Sequence, residues 1–231
     1  MDRRTALWHA GIAGVLSTGM APAVHAQAAV RWRLASSFPQ SLDTIFGGAE
    51  VFAKAAHDLS GGRFEVVVHA AGDLMPAFGV LDAVQSGSVE MAHTAPYYFY
   101  DRNPAFALGS AIPFGFNARQ MNAWMLHGNG RRLMDDFYAG YNLVSFAGGN
   151  TGTQMGGWYL KEIREVSDFK GMRMRLGGGL VGDVMAGMGA IPLDMPGGEI
   201  YRALQKRTID AAEWVGPYDD QKLGFNKVAP Y

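Results

Sequence analysis

From Val30 onward the chain alternates apolar and polar positions, with Val30, Trp32 and Leu34 set against Arg31 and Arg33. A period of two sends successive side chains to opposite faces, so this stretch predicts a strand. After the turn SSFPQS the apolar residues recur at Ile45, Ala49, Phe52, Ala53, Ala56 and Leu59, a single helical stripe that Gly61-Gly62 stops. RFEVVVH predicts a second strand with Phe64, Val66 and Val68 on one face. PAFGVLDAVQSG then reads as a helix opened by Pro76 and closed by Gly87. VEMAHTA predicts a third strand, with YYFY just beyond its end. Strand, helix, strand, helix, strand points to an α/β unit with parallel strands.

Residues 117 to 140 read as mainly helical, broken at Gly128-Asn129-Gly130. NLVSFAGG predicts a strand, and GGNTGTQMGGWYL a glycine-rich turn leading into another. GMRMRL, GLVGDVMAGMG, AIPLD, GGEIYRALQKR and IDAAEWV then repeat the strand-helix alternation. Two α/β runs with a mostly helical stretch between them predict two lobes: residues 27–146, residues 147–213, and a segment 214–231 that crosses back toward the first.

Composition narrows the function classes. With 231 residues, 48% hydrophobic and 18% charged, the chain has material for a buried core and is not a disordered tail. Net charge is -1, and the basic pairs Arg131-Arg132 and Lys206-Arg207 are isolated, so no nucleic-acid partner is expected. Cysteine is absent, which excludes disulfides, thiolate catalysis and cysteine-bound zinc. At the start, Arg3-Arg4, an apolar run from Ala10 to Met20 and a Val24-x-Ala26 exit occur in the order of an export signal. Residues 1–26 are therefore expected to be a signal peptide of the twin-arginine type, and the mature chain a soluble periplasmic protein. No later stretch is apolar enough to span a bilayer.

Enzyme signatures are scarce. H-E-x-x-H, G-x-S-x-G and the P-loop pattern are absent, and the six histidines are scattered. His93, at a strand end, reads as a packing residue rather than a base. The one enzyme-like motif is G-x-G-x-x-G at Gly177, Gly179 and Gly182, between a strand and a helix, with Asp194 ending the next strand. It admits an exported NAD-dependent oxidoreductase as an alternative reading. Against it, the strand before such a turn should be apolar on both faces, and here Arg173 and Arg175 share one face. Asp194 also falls short of the usual offset of about 20 residues.

Those arginines suit a different chemistry. Met172, Met174 and Leu176 would pack one way while Arg173 and Arg175 point the other. An arginine at the carboxyl end of a strand in an α/β lobe stands where ligands bind, and its planar fork matches a carboxylate. A solvated arginine on an edge strand is the plainer alternative. Glu213, between Ala212 and Trp214, needs a cation or donor if buried. Gln154, flanked by glycines, adds an amide oxygen, and the two with a main-chain carbonyl would suit a hard cation.

The stretches SSFPQSLDTI, GGNTGTQMGGWYLKEI, DFKGMRMR and GGEIYRALQKRTIDAAEWVGPYDD resemble the substrate-binding proteins of tripartite ATP-independent periplasmic (TRAP) transporters. The resemblance is nearest to the subgroup that takes 2-oxo acids with a metal ion, and it runs from about Val30 to the last residue. It implies an α/β, two-lobed periplasmic solute-binding fold with the ligand cleft between the lobes, and no catalysis. By resemblance Arg175 grips the ligand carboxylate. Gln154, Glu213 and Trp214, the last through its carbonyl, surround a cation, sodium ahead of calcium, with no organic cofactor. Asn150, Tyr97, Tyr98 and Phe38 are implied pocket-lining residues. The implied partners are a small 2-oxo or 2-hydroxy monocarboxylate and the TRAP membrane permease, with a homodimer left open. Two departures stand out: Arg207 occupies a turn position where the family commonly has glycine, and the family's chains are longer. A missing C-terminal part is therefore expected, and a non-functional relic is a third reading.

Overall fold

A computed structural model describes residues 30–110 and 112–231. The signal peptide expected over residues 1–26 lies outside the described residues. Val30–Ser36 (β1), Phe64–His69 (β2) and Met91–His93 (β3) form a parallel sheet in the order β2-β1-β3. Helix Phe46–Leu59 (α1) covers one face, where Leu34, Ala49 and Val66 are buried with Phe64, Val68 and Met91 packed around them. Of the stripe read from the sequence, Ala49, Ala53 and Ala56 pack on this face, Ile45 joins a neighbouring cluster, and Phe52 and Leu59 stay exposed. Helix Val80–Gln85 (α2) follows, and β3 leads into a 3-10 turn over Pro96–Phe99 and another over Pro104–Gly109.

Helices Ala118–His127 (α3) and Gly130–Ala139 (α4) occupy the predicted helical stretch and break where the Gly-Asn-Gly tripeptide stands. Asn117 caps α3 by a reciprocal pair of 3.0 Å bonds with Gln120. The strand predicted over Asn142–Gly149 does not form. The chain there runs without sheet pairing, and Val144 and Phe146 stay exposed. Apolar residues make a segment able to pair, but a ladder needs a neighbour at about 4.8 Å, and among the described residues it has no sheet partner.

The second sheet contains Trp158–Tyr159 (β4), Arg173–Leu176 (β5), Ile191–Asp194 (β6) and Ala211–Ala212 (β7), ordered β4-β7-β5-β6. β5 is parallel to both neighbours and interior to the sheet, and β4 runs antiparallel to β7. Helix Gly179–Gly187 (α5) connects β5 to β6, and helix Gly197–Gln205 (α6) connects β6 to β7. Met172, Met174 and Leu176 are buried together with Ala211, on the face opposite to the arginines, as the alternation predicts.

One apolar core joins the two sheets. Phe38, Leu42, Tyr98 and Phe106 from the first half are buried in the same cluster as Ile200, Leu204, Trp214 and Phe225 from the second. Beyond Trp214, helix Pro217–Lys222 (α7) lies against the first half, where Lys222 and Tyr218 engage Asp43, and Thr44 donates to the buried Asp219.

Candidate functional site

β5 places Arg175 inside the protein: its side chain is 1% exposed. Its neighbours in the sheet are Leu193 on β6 and Ala212 on β7, so the solvated edge position weighed from the sequence does not apply. The guanidinium is held by main-chain oxygens. Nε donates to Met195 O at 2.9 Å, and Nη1 to Glu213 O at 2.6 Å. Nη1 also stands 3.8 Å from Glu213 Oε2, and the guanidinium carbon lies 4.7 Å from the centroid of the Trp214 ring. Arg173, two residues earlier, is half exposed and does other work. It makes a bidentate pair with Asp210 at 2.9 Å and donates to Arg207 O.

Glu213 follows β7 directly, and its backbone N–H donates to Arg175 O at 3.0 Å, which locks the two residues' relative position. Burial pushes its carboxyl up to about 7, with Arg175 pulling the other way and Asp220 adding to the rise. The Gln154 loop is stitched to the same segment by Met155 N–H donating to Val215 O at 3.0 Å. The end of the Gln154 amide that faces inward lies 2.7 Å from Glu213 Oε1 and 3.3 Å from Trp214 O. With nitrogen at that end the amide donates to both, and its oxygen accepts from the Thr151 hydroxyl at 2.9 Å, so the amide, the Glu213 carboxylate and the Trp214 carbonyl meet in one polar cluster. Such a donor set fits a hard cation.

Phe38 lies behind the site, buried, with its ring 6.4 Å from Trp214, 6.3 Å from Tyr98 and 5.0 Å from His93. Tyr97 and Tyr98 stack edge to face at 4.9 Å. Burial raises both hydroxyls above the usual phenol range, and the nearby Arg175 charge lowers them. Among the described residues, the buried side-chain donors that meet no acceptor are Arg175 Nη2 and Trp214 Nε1. Asn150 is not drawn in: its oxygen accepts from Gly152 N–H at 2.8 Å, within its own exposed loop. His93 sits beside Ser36 with Nδ1 3.3 Å from the hydroxyl, and burial lowers its pKa. This is a packed histidine.

Sequence reasoning missed the residues that hold this site in shape. Asp220 is fully buried; its Oδ1 accepts from Val215 and Gly216 N–H at 3.0 and 3.1 Å, and its Oδ2 from Trp158 Nε1 at 2.8 Å. It thereby anchors the backbone just after Trp214 to β4. The signal was legible in GPYDD: proline opening a helix, followed by acids in the first turn. Met195 O carried no side-chain signal at all.

The glycine turn reads differently in three dimensions. β5, the turn and α5 keep the strand-turn-helix order, yet a Cβ on Gly177 would lie 2.6 Å from Tyr97 Cε2, and one on Gly179 3.6 Å from Tyr100 Cδ2. The aromatic turn of the other half occupies the space over the start of α5 that a pyrophosphate requires. Geometry thus counts against the dinucleotide alternative.

Residues 35–231 match the family model of bacterial extracellular solute-binding protein, family 7 (DctP). A monocarboxylate 2-oxoacid-binding periplasmic protein of Nostoc sp. is 51% identical over 202 residues, covering 87% of this chain and 55% of that protein. A TRAP transporter solute-binding protein of Bordetella bronchiseptica, with copurified calcium and picolinate bound, superposes with TM-score 0.86 at 47% identity. It is matched over 88% of this chain and 60% of its own. One from Pseudoalteromonas atlantica, with bound sodium and pyruvate, gives 0.83 at 42% identity, over 88% of this chain and 61% of that chain. The chain therefore spans about 55 to 61% of the length of these relatives. Their fold is the two-lobed one expected from the sequence. The chain belongs to family 7 of the bacterial extracellular solute-binding proteins.

Proposed function

We propose that the chain binds a small 2-oxo monocarboxylate together with a metal cation outside the cytoplasm, for delivery to a TRAP-type membrane permease. The observation that carries this reading is a pair of buried donors that lack an acceptor, Arg175 Nη2 and Trp214 Nε1, beside the Glu213 carboxylate and the Trp214 carbonyl, which meet at the Gln154 amide. An anion satisfies the donors and a cation satisfies the oxygens. A 2-oxo acid offers its carboxylate to the arginine and its adjacent oxo group to the cation. The Nostoc relative's 2-oxo acid specificity and the pyruvate found in the Pseudoalteromonas protein support that class.

Arg175 neutralises the carboxylate; Gln154, Glu213 and the Trp214 carbonyl hold the cation; Tyr97, Tyr98 and Phe38 wall the pocket. Asn150 lines the approach through its loop. In this reading residues 27–146 and 147–213 are the lobes and 214–231 the crossing segment, consistent with α7 resting on Asp43 and Thr44. No bond is made or broken; water is excluded, which strengthens both charge contacts. Sodium ranks ahead of calcium in this reading, because one arginine, one glutamate, one monocarboxylate and one monovalent cation sum to zero charge.

Isothermal calorimetry with pyruvate tests the arginine. Arg175→Ala should abolish binding, and Arg175→Lys, which keeps the charge but loses the fork, should weaken it about 10- to 150-fold. Undiminished affinity in both would refute the assignment. For the cation, Glu213→Gln should remove the sodium dependence of pyruvate affinity, and a variant that keeps it would exclude Glu213 as a ligand.

A further inference from the structure

The glycine turn on which the dinucleotide reading rested has another use in the structure. Gly177 presses on the Tyr97 ring, Gly178 packs beside Asp194 and Tyr97 O, and Gly179 faces both Tyr97 and Tyr100. Gly178 and Gly179 have φ of 79° and 67°, which turns the chain sharply so that α5 starts directly over the aromatic turn. One turn into α5, Asp183 Oδ2 accepts a hydrogen bond from the Tyr100 hydroxyl at 3.0 Å. That bond is exposed, it spans 83 positions of sequence, and it joins the first half of the chain to the second. Tyr100 stands two residues past Tyr98, and Asp183 seven residues past Leu176, where the strand that carries Arg175 ends.

We infer that Tyr100 and Asp183 form a latch that holds the aromatic wall against the arginine strand, with Gly177–Gly179 as its seat. The inference rests on the solute-binding reading, which it extends. Both residues are positioning residues: neither reaches the proposed ligand, and each acts through Tyr97, Tyr98 and Arg175. An exposed bond of this kind is weak enough to open at every cycle and strong enough to bias the closed arrangement by about 2- to 10-fold. A latch made only when the halves meet slows escape and leaves encounter alone.

The test compares Tyr100→Phe, Asp183→Ala and Asp183→Asn in the full chain. Stopped-flow measurement of pyruvate with saturating sodium should show the dissociation rate raised about 2- to 10-fold in Tyr100→Phe and Asp183→Ala. The association rate should stay within about twofold of the parent. Asp183→Asn keeps an acceptor oxygen and should stay near the parent value. The double variant Tyr100→Phe/Asp183→Ala should be no faster than either single one. Parental dissociation rates in both single variants, or losses that simply add, overturn the latch. A second readout needs no ligand: amide exchange over residues 179–187 should speed up in Tyr100→Phe and Asp183→Ala and not in Asp183→Asn. Unchanged exchange also overturns the latch. If the parent chain binds no 2-oxo acid, the solute-binding reading fails while the exchange measurement still decides the latch.

Discussion

Arg207 sits at φ 57°, in the left-handed region where a Cβ meets the following carbonyl. The family resemblance places glycine here, so the departure noticed in the sequence has a conformational cost. Its carbonyl, which accepts from Arg173 Nη2 at 2.8 Å, is main-chain and survives substitution. Arg207→Gly should therefore stabilise the chain by up to about 1 kcal/mol, the strain relieved less the added freedom of the unfolded glycine. Differential scanning calorimetry should record a rise of about 2–4 °C. Pyruvate affinity should not move, because the residue lies away from the site. Arg173 offers a contrast with its strand neighbour. Alternation placed both arginines on one face, and only the family resemblance singled out Arg175. The difference is the carboxylate each meets: Asp210 satisfies Arg173 in the half-exposed flank, while Arg175 leans on carbonyls and keeps a free nitrogen. Arg173→Gln should lower the melting temperature only slightly, as a pair this exposed is screened by solvent, and leave binding intact.

At the level of elements, the periodic segments were legible and the short ones were not. α1 was read from an apolar stripe, α3, α4 and α6 from helical runs bounded by glycines, and β1 and β2 alternate cleanly, so their positions could be read directly. β4 and β7 have two residues each, too few to show a period. Asn142–Gly149 shows the opposite failure: its apolar residues suit a strand, but pairing depends on a neighbour that local sequence does not reveal. Val144 and Phe146 are exposed there, and the Arg131 guanidinium lies 4.6 Å from the Phe146 ring centroid. Replacing both with serine should change folding stability by no more than about 0.5 kcal/mol while lowering light scattering of concentrated samples. A loss of several kcal/mol would mean that the segment is paired in solution. By contrast, Phe106 is fully buried among Phe99, Phe137, Tyr138 and Tyr141. Phe106→Ala should cost about 3–5 kcal/mol in chemical denaturation. The candidate site was legible where chemistry was in side chains (Arg175, Glu213, Gln154) and illegible where it was in carbonyls or in the buried Asp220 brace.

On the scale of the whole molecule, two sheets share one apolar core, and the residues of the proposed site straddle it. A ligand and an ion that bind only the folded chain must stabilise all of it by mass action. At concentrations 100 times the dissociation constant the gain is about 2.7 kcal/mol, which for a chain of this size raises the melting temperature by about 5–10 °C. The rise should require sodium and pyruvate together, each alone giving little, because each neutralises what the other leaves uncompensated. Thermal shift assays with the four combinations check this; equal rises with pyruvate in the presence and absence of sodium would detach the ion from the ligand.

The backbone bond from Glu213 to Arg175, with β7 laddered against β5, has a mechanical corollary. Every formal charge in the proposed pocket is mounted on one rigid plate, and every pocket aromatic that precedes the second sheet (Phe38, Tyr97, Tyr98) is mounted on the other. In the solute-binding reading proposed above, attraction for an incoming anion comes from the charge-bearing side of the pocket and shape discrimination from the ring-bearing side.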